Sequence, residues 1–320
     1  MVTPQYGFLS NKNLIGIWDR LYEPTLNGVW ATQIGTIVNS SNETEDYGWL
    51  GAAPGLELMT ADNPTEEQFG KFRYYLRNQE YAKAVKIAQK DLRRDKLGQI
   101  EMRIGEMGEK AAEHWNTLAA QAIIANPNGY DGVSFFSTAH PESGVSQVND
   151  LSATQVPALN VVDPTAPTGP EAAAALSGVI GSFYTFTDDK GDQINGQAKD
   201  FTVLTGNQMV FQALQYAATA TTFGAGQSNQ ILGLTANGTK VNVLLIPRLY
   251  DGSNPNRFYV FRNDSRVKAL ILQNEVDIDP AVSDETNDEY IKFRRFIFSL
   301  YTSRAVGVAR WQSALRATLS

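Results

Sequence analysis

Gly129-Tyr130-Asp131-Gly132-Val133-Ser134-Phe135-Phe136-Ser137-Thr138-Ala139-His140-Pro141 closes a stretch, begun at Asp46, that holds three unlike pieces in a fixed order. A ribbon-like excursion runs from Tyr47 to Asn78, one long amphipathic helix follows and ends near Asn126, and the Gly-Tyr-Asp-Gly turn leads into the aromatic run. In the excursion, Leu56-Glu57-Leu58-Met59 alternates apolar and polar, and Phe69-Gly70-Lys71-Phe72-Arg73-Tyr74-Tyr75-Leu76 returns rich in aromatics around the polar tip Asp62–Glu67. An isolated two-stranded ribbon is marginal in water, so this one needs a surface to lie on. A hairpin inside an ordinary sheet is the plainer alternative. The order of the three pieces reads as a building block for a larger assembly.

The helix has the clearest local pattern. Ile100, Ile104, Met107, Ala111, Trp115, Leu118 and Ala122 recur every three or four residues and mark one apolar stripe. Asp95 is the expected N-cap, and Asn126-Pro127 stops the helix. About 30 residues at 1.5 Å each make a rod of roughly 45 Å. Gly98, Gly105 and Gly108 work against helix formation and point to close approach by another element, or to a bend.

Upstream, residues 1–45 carry Tyr6, Phe8, Trp18, Tyr22 and Trp30 without a sustained period. Such an arm must dock, either on its own domain or on a neighbouring subunit. Glu80–Gln89 reads as a strand. It leads into a basic run (Lys83, Lys86, Lys90, Arg93, Arg94, Lys96) that either forms a solvated or acid-paired face or touches nucleic acid.

Downstream, Phe135-Phe136 reads as a strand and residues 143–170 as a Pro-rich linker or loose surface segment. Glu171–Phe186 reads as a helix, Asp188–Asp192 as a turn, Phe201–Leu204 as a buried strand and Asn207–Ala218 as a helix. Thr219–Asn229 reads as a flexible loop. Further strands are expected at Val241–Ile246, Arg257–Phe261, Ala269–Leu272, Tyr290–Tyr301 and Ala305–Trp311. Glu275–Glu289 holds seven acidic residues and no basic one.

Composition bounds the function. A chain of 320 residues, 42% hydrophobic and 19% charged, has ample material for a folded core. Its net charge of −7 argues against a surface that grips nucleic acid all over, but not against a container for it. With no cysteine there are no disulfides, thiolate metal sites or cysteine nucleophiles, and there are only two histidines, His114 and His140. No run of about 18 apolar residues suggests a membrane span, and Met1–Tyr6 lacks the basic and apolar regions of a secretory signal.

Catalytic patterns are equally thin. Gly105–Lys110 lies inside the helix, where backbone amides cannot cradle phosphate, and Asp188-x-Lys190-x-Asp192 lacks the glycine and glutamate of a calcium loop. Gly224-Ala225-Gly226 lacks the third glycine of a dinucleotide turn. His140 has no serine nucleophile motif beside it and reads as a structural histidine. No enzyme activity, cofactor or metal is expected.

Taken together, Tyr47-Gly48-Trp49-Leu50-Gly51-x-x-Pro54-Gly55, Asp91-Leu92-x-x-Asp95-x-Leu97-Gly98-Gln99-Ile100 and Gly129–Gly132 with Phe135-Phe136 and His140-Pro141 resemble the major head subunits of Mu-like phages and prophages. Arg304–Arg310 up to Ala314 is similar to the last strand pair of Hong Kong 97-type capsid proteins. The resemblance covers most of residues 45–315, with no match in the first 45.

It implies an α+β, Hong Kong 97-like major capsid protein fold. The expected parts are an N-terminal arm (1–45), an extended β-hairpin loop (46–79), a peripheral domain (80–164) with spine helix 97–125, an axial domain (165–285) and return strands (286–320). Axial loops at Thr219–Asn229 and Asp251–Asn256 would meet around the symmetry axes.

The implied contacts between copies are Leu56, Leu58, Met59, Glu66, Glu67, Phe69, Lys71 and Arg73 of the loop, and Trp18, Tyr22 and Trp30 of the arm. The implied partners are further copies in hexamers and pentamers, non-specifically packaged double-stranded DNA, and portal, scaffold or decoration proteins, with no membrane. The implied location is the virion, assembled in the host cytoplasm. Lys71 lies where some relatives cross-link, but no partner asparagine or catalytic glutamate is identifiable, so no cross-link is expected. The arm shows no coiled-coil leader, which predicts a separate scaffold or none. The alternatives are a cellular nanocompartment shell of the same fold and, more distantly, a soluble hydrolase.

Overall fold

In the computed structural model, residues 28–48, 73–94, 98–142, 145–188, 191–223, 227–250 and 252–320 are described. Two sheets are built from nine strands: β1 (Gly35–Asn39), β2 (Gln79–Ala88), β3 (Asp150–Leu151), β4 (Asp200–Thr205), β5 (Lys240–Leu245), β6 (Arg257–Arg262), β7 (Leu270–Val282), β8 (Arg295–Val308) and β9 (Ala314–Thr318). The first sheet has the order β1-β7-β8-β2 and the second the order β5-β4-β6-β9-β3. Around them lie α1 (Gln99–Ala112), α2 (His114–Ala125), α3 (Gly169–Phe183), α4 (Gln208–Thr219), α5 (Gln230–Ala236) and α6 (Asp288–Phe293).

Strand β8 shows why the first sheet is one-sided. Phe296, Phe298 and Leu300 are buried while Arg295 and Tyr301 on the opposite face are exposed, the alternation of a strand covered on one side only. The cover is α1. Ile104 and Ala112 join Ile278, Phe298 and Leu300 in a small core, with Ile100, Met107 and Ala111 packed against it. Strand β8 pairs antiparallel with β2, from Arg295↔Ala88 to Arg304↔Gln79, and with β7 on its other edge. β7 and β8 change register twice, between Asn274 and Val276 and between Val276 and Asp279. Such irregularities increase the local twist of a ladder.

The second sheet is the centre of the larger core. Phe201, Val203 and Leu204 of β4 are fully buried, the continuous apolar run expected of a strand covered on both faces. Helix α3 contributes Ala172, Ala175, Leu176, Val179, Ile180 and Phe183 to that core. It begins at a capping box in which Thr168 and Glu171 satisfy each other's free amides. Asn207 caps α4, its side chain accepting from the Met209 amide at 2.8 Å.

Several expectations need correction. The rod is two helices, α1 and α2, interrupted at Glu113. The described helix starts after Gly98, in the left-handed region at φ 64°, and Asp95, the expected cap, lies outside the described residues. Phe135 and Phe136 are buried but form no ladder. Their segment is held instead by Asn126, whose Oδ1 accepts from the Phe136 amide (2.7 Å) and whose Nδ2 donates to the Phe136 carbonyl (3.1 Å). Residues 143–170 are not a loose linker. They include β3, which pairs parallel with β9, and the fully buried Leu159, whose carbonyl accepts from Ser320. Thr219–Asn229 contains a short ladder between Thr222-Phe223 and Gln227-Ser228.

The acidic run starts inside β7 and ends in α6, so Tyr290–Phe293 is helical. β8 begins only at Arg295 and continues to Val308, absorbing most of the expected last strand. Asn287 caps α6, and Arg294 ends it in the left-handed region at φ 50°.

Candidate assembly interface

The chain segments on either side of residues 49–72, which lie outside the described residues, are joined by a clamp. Thr44–Asp46 pairs antiparallel with Tyr75–Arg77, and the ladder continues as Tyr47 N–H donates to the Tyr74 carbonyl at 2.8 Å. Below this base lies Gln273 of β7, fully buried. Its Oε1 accepts from the Tyr47 hydroxyl (2.7 Å), and its Nε2 donates to Asn78 Oδ1 (2.8 Å) and to the Leu76 carbonyl (3.3 Å). Asn78 in turn donates to Ser40 Oγ and to the Asn42 carbonyl. Burial pushes the Tyr47 phenol up to about 12, so it remains a donor throughout the neutral range.

Strand β8 closes the clamp from the other side. Val308 N–H donates to the Tyr74 hydroxyl at 3.2 Å, and Gly307 lies beneath Tyr74 and Leu76. A Cβ at Gly307 would come within 2.9 Å of both Tyr74 Oη and Leu76 Cδ2, so any side chain here would make Tyr74 and Leu76 shift.

The sequence-predicted contact residues divide. Leu56, Leu58, Met59, Glu66, Glu67, Phe69, Lys71, Trp18 and Tyr22 lie outside the described residues. Arg73 is exposed at the loop base, 3.7 Å from Asp46, with its guanidinium donating to Tyr75 Oη. Trp30 is buried in the large core together with Val29, Ala31 and Ile34.

The anchoring residues Gln273, Asn78 and Gly307 escaped the sequence reading. Gln273 carried a usable signal, a lone amide following the apolar run Ala269–Leu272 of a buried strand, where it requires partners.

Apolar surface adjoins the clamp. Between α1 and the β2–β8 pair runs an open groove of about 340 Å³, lined by residues including Tyr81, Val85, Met107, Ile278 and Tyr301. At the sheet's far end Ile291 and Phe293 stand more than half exposed. Under the groove's inner edge, Arg304 is fully buried. It lies over the Trp115 ring (4.4 Å) and donates to Asp277 Oδ1 (3.0 Å) and Thr302 Oγ1 (2.8 Å). Burial, and secondarily the Arg304 charge, hold His114 down to about 4.

The Gly-Tyr-Asp-Gly turn is a structural hub. Gly132 adopts φ 80°, and Tyr130 is buried with its hydroxyl accepting from Gln312 Nε2 at 3.0 Å. Asp131 meets His140 Nδ1 at 2.5 Å, while His140 Nε2 faces Asn149 Oδ1 at 3.1 Å. His140 is thus a fully buried tie, as its sequence reading as structural expected. Among the described residues no group of three or more His, Asp or Glu gathers to hold a metal, and no helix is long and apolar enough to cross a membrane.

Comparison with known proteins follows this architecture. The family described as Mu-like prophage major head subunit gpT matches residues 16–170. This span starts inside the arm, where no match was expected, and stops well short of residue 315. The Mu-like prophage FluMu major head subunit of Haemophilus influenzae (strain ATCC 51907 / DSM 11121 / KW20 / Rd) is 34% identical over 112 residues, covering 34% of this chain and 36% of that protein. The major capsid protein of Escherichia phage Mu is 30% identical over 146 residues, covering 44% of this chain and 46% of that protein. The matched regions therefore span less than half the length of these curated relatives.

Among solved structures, the procapsid of bacteriophage JBD30 aligns with 100% of this chain and 77% of that one at TM-score 0.53 and 17% identity. The capsid of cyanophage P-SCSP1u aligns with 90% of this chain and 86% of that one at TM-score 0.57 and 12% identity. The fold is that of a tailed-phage capsid subunit, of the Hong Kong 97-like α+β type.

Proposed function

We infer, from the kinship of residues 16–170 with the Mu-like prophage major head subunit gpT and from a capsid-subunit fold, that this chain is the main subunit of an icosahedral shell enclosing the double-stranded DNA of a tailed phage. Its first partner is itself, in hexamers and pentamers. Portal, scaffold and decoration proteins would join the finished virion, assembled in the host cytoplasm. The subunit works without catalysis. Its chemistry is the repetition of heterologous contacts until the surface closes, with many modest contacts acting together.

The observation that carries this reading is the clamp. Tyr47, Tyr74, Asn78, Gln273 and Gly307 are all committed to fixing the two ends of one excursion against β7 and β8. A buried network of this kind holds a projection at a defined angle, as a loop that must land on a neighbouring copy requires. In this reading Leu56, Leu58, Met59, Glu66, Glu67, Phe69, Lys71 and Arg73 make the contact, with Trp18 and Tyr22 of the arm adding to it. The first sheet with α1 corresponds to the peripheral domain, and the second sheet with α3, α4 and α5 to the axial domain. A nanocompartment shell would share the fold, but the sequence kinship lies with phage head subunits.

Negative-stain microscopy of the purified chain tests this reading: closed shells or capsomers are expected. A uniform population of monomers at high protein concentration would overturn it.

A further inference from the structure

At the end of the first sheet, β2 runs into a short helix, Gln89–Arg94, and α6 runs into β8. Between these two connections lies a cleft of about 460 Å³ lined by Ala88, Gln89, Lys90, Arg94, Phe293, Arg294 and Arg295. Four of the seven are cations and none is acidic. The rims are tied together, since Gln89 N–H donates to the Arg294 carbonyl at 2.9 Å. Arg294 itself is held in the left-handed region as the C-cap of α6. Lys90, Arg94, Arg294 and Arg295 are all exposed to solvent around this cleft.

Several described acids of α6 and β7 are engaged elsewhere. Glu289 pairs with Lys86 at 2.5 Å, Asp288 with Lys292 at 3.0 Å and Asp277 with Arg304 at 3.0 Å. Asp284 turns back onto Thr286, and Glu275 accepts from Ser303. Asp91 is exposed on the short helix and lines no part of the cleft. Among the described residues none of the four cations forms an ion pair. Two rest on rings instead, Arg294 over Tyr290 at 5.2 Å and Arg295 over Phe293 at 5.5 Å.

We propose that this cleft binds the phosphodiester backbone of nucleic acid, without regard to sequence. Three guanidinium groups and one ammonium suit phosphate oxygens, since the planar fork of arginine donates to two oxygens at once. Within a chain of net charge −7, a local concentration of uncompensated cations selects a polyanion and leaves the rest of the surface repellent to it. The assignment deepens the shell reading by naming the surface that meets the packaged polymer.

The test uses the full chain as capsomers, titrated into a labelled 20-base-pair duplex of random sequence between 50 and 200 mM salt and followed by fluorescence anisotropy. Arg94→Gln with Arg295→Gln should weaken binding about tenfold or more at the low end and reduce the salt slope by about one to two. Arg294 is left intact because it caps α6. Lys83→Gln with Lys110→Gln, at the apolar groove, should change affinity by less than about twofold.

Equal affinity and slope in the cleft variant would overturn the proposal. So would normal DNA binding combined with failed association of subunits, because the cleft would then serve the carboxylates of a second copy. Micrographs of the same samples keep the outcomes apart: shells with no change in DNA binding sink this inference alone, and the absence of shells in the parent chain sinks the functional reading.

Discussion

The imidazole of His140 lies flat on the indole of Trp311, with ring centroids 4.1 Å apart and planes 6° from parallel. Asn149 Oδ1 is fixed as an acceptor by the Ser137 amide (2.8 Å), and its Nδ2 donates to the Phe135 carbonyl (2.7 Å). His140 Nε2 must therefore donate to Asn149, while Nδ1 faces the Asp131 carboxylate. Both ring nitrogens thus meet oxygen atoms of other side chains. Asp131→Ala would leave His140 Nδ1 without its partner in a buried site and should cost about 1–3 kcal/mol. Urea unfolding of the subunit measures it; a loss under about 1 kcal/mol would mean the pair contributes little.

Gly307 sets how closely the loop base seats on β8. Gly307→Val would push Tyr74 and Leu76 outward at a cost of about 1–3 kcal/mol while leaving both main cores intact. The expected result is a folded subunit, by circular dichroism, that sediments mainly as unassembled material. Normal particle yield from this variant would show that the angle of the loop base does not govern assembly.

His114 makes the first sheet's connection to the large core sensitive to acid. The unfolded ring takes up its proton near its ordinary value of 6.5, whereas the folded ring resists until about 4. The unfolded chain therefore binds more protons between these values. The stability tied to this group is intact above pH 6.5 and declines as pH falls toward 4. Allowing for solvent screening of a partly exposed ring, the loss is about 1–2 kcal/mol. Thermal unfolding of His114→Phe against the parent across pH 4–7 should give a flatter profile for the variant. Parallel profiles would assign the acid sensitivity to other groups.

Removing Asp62–Gln68, the polar tip, should leave the clamp and both sheets intact, so the melting temperature stays near that of the parent. Shell yield should fall severely, as read by light scattering. Assembly at parental levels would remove the tip from the contact.

Much of this architecture is written locally. The stripe from Ile100 to Ala122 places both helices, Asn207 announces a helix start, and the apolar run at Phe201–Leu204 marks a buried strand of a sheet. What stayed hidden depends on distant partners. Phe135-Phe136 has the composition of a strand, yet Asn126 occupies its backbone before any neighbour can. Tyr290–Phe293 looks extended beside β8, but the Asn287 cap and the acids of the first turn favour a helix. The Pro-rich segment 143–170 is anchored by the C-terminus, more than 150 residues away. The clamp was half legible: Tyr47 and the aromatic return were visible, whereas Gln273 and Gly307 gain meaning only when β7 and β8 are brought beneath them.

The break at Glu113 falls at the boundary between the two cores. Residues before it belong to the small core on the first sheet, and Trp115, Leu118 and Ile123 after it belong to the large one. Glu113 itself is exposed, while its N–H still donates to the Glu109 carbonyl and its carbonyl accepts from the Thr117 N–H. The preceding half is about 21 Å long at 1.5 Å per residue, so a tilt of about 10° at this joint swings its far end by nearly 4 Å. On the shell reading proposed above, this joint is where identical copies would adjust to flat and curved regions of one surface.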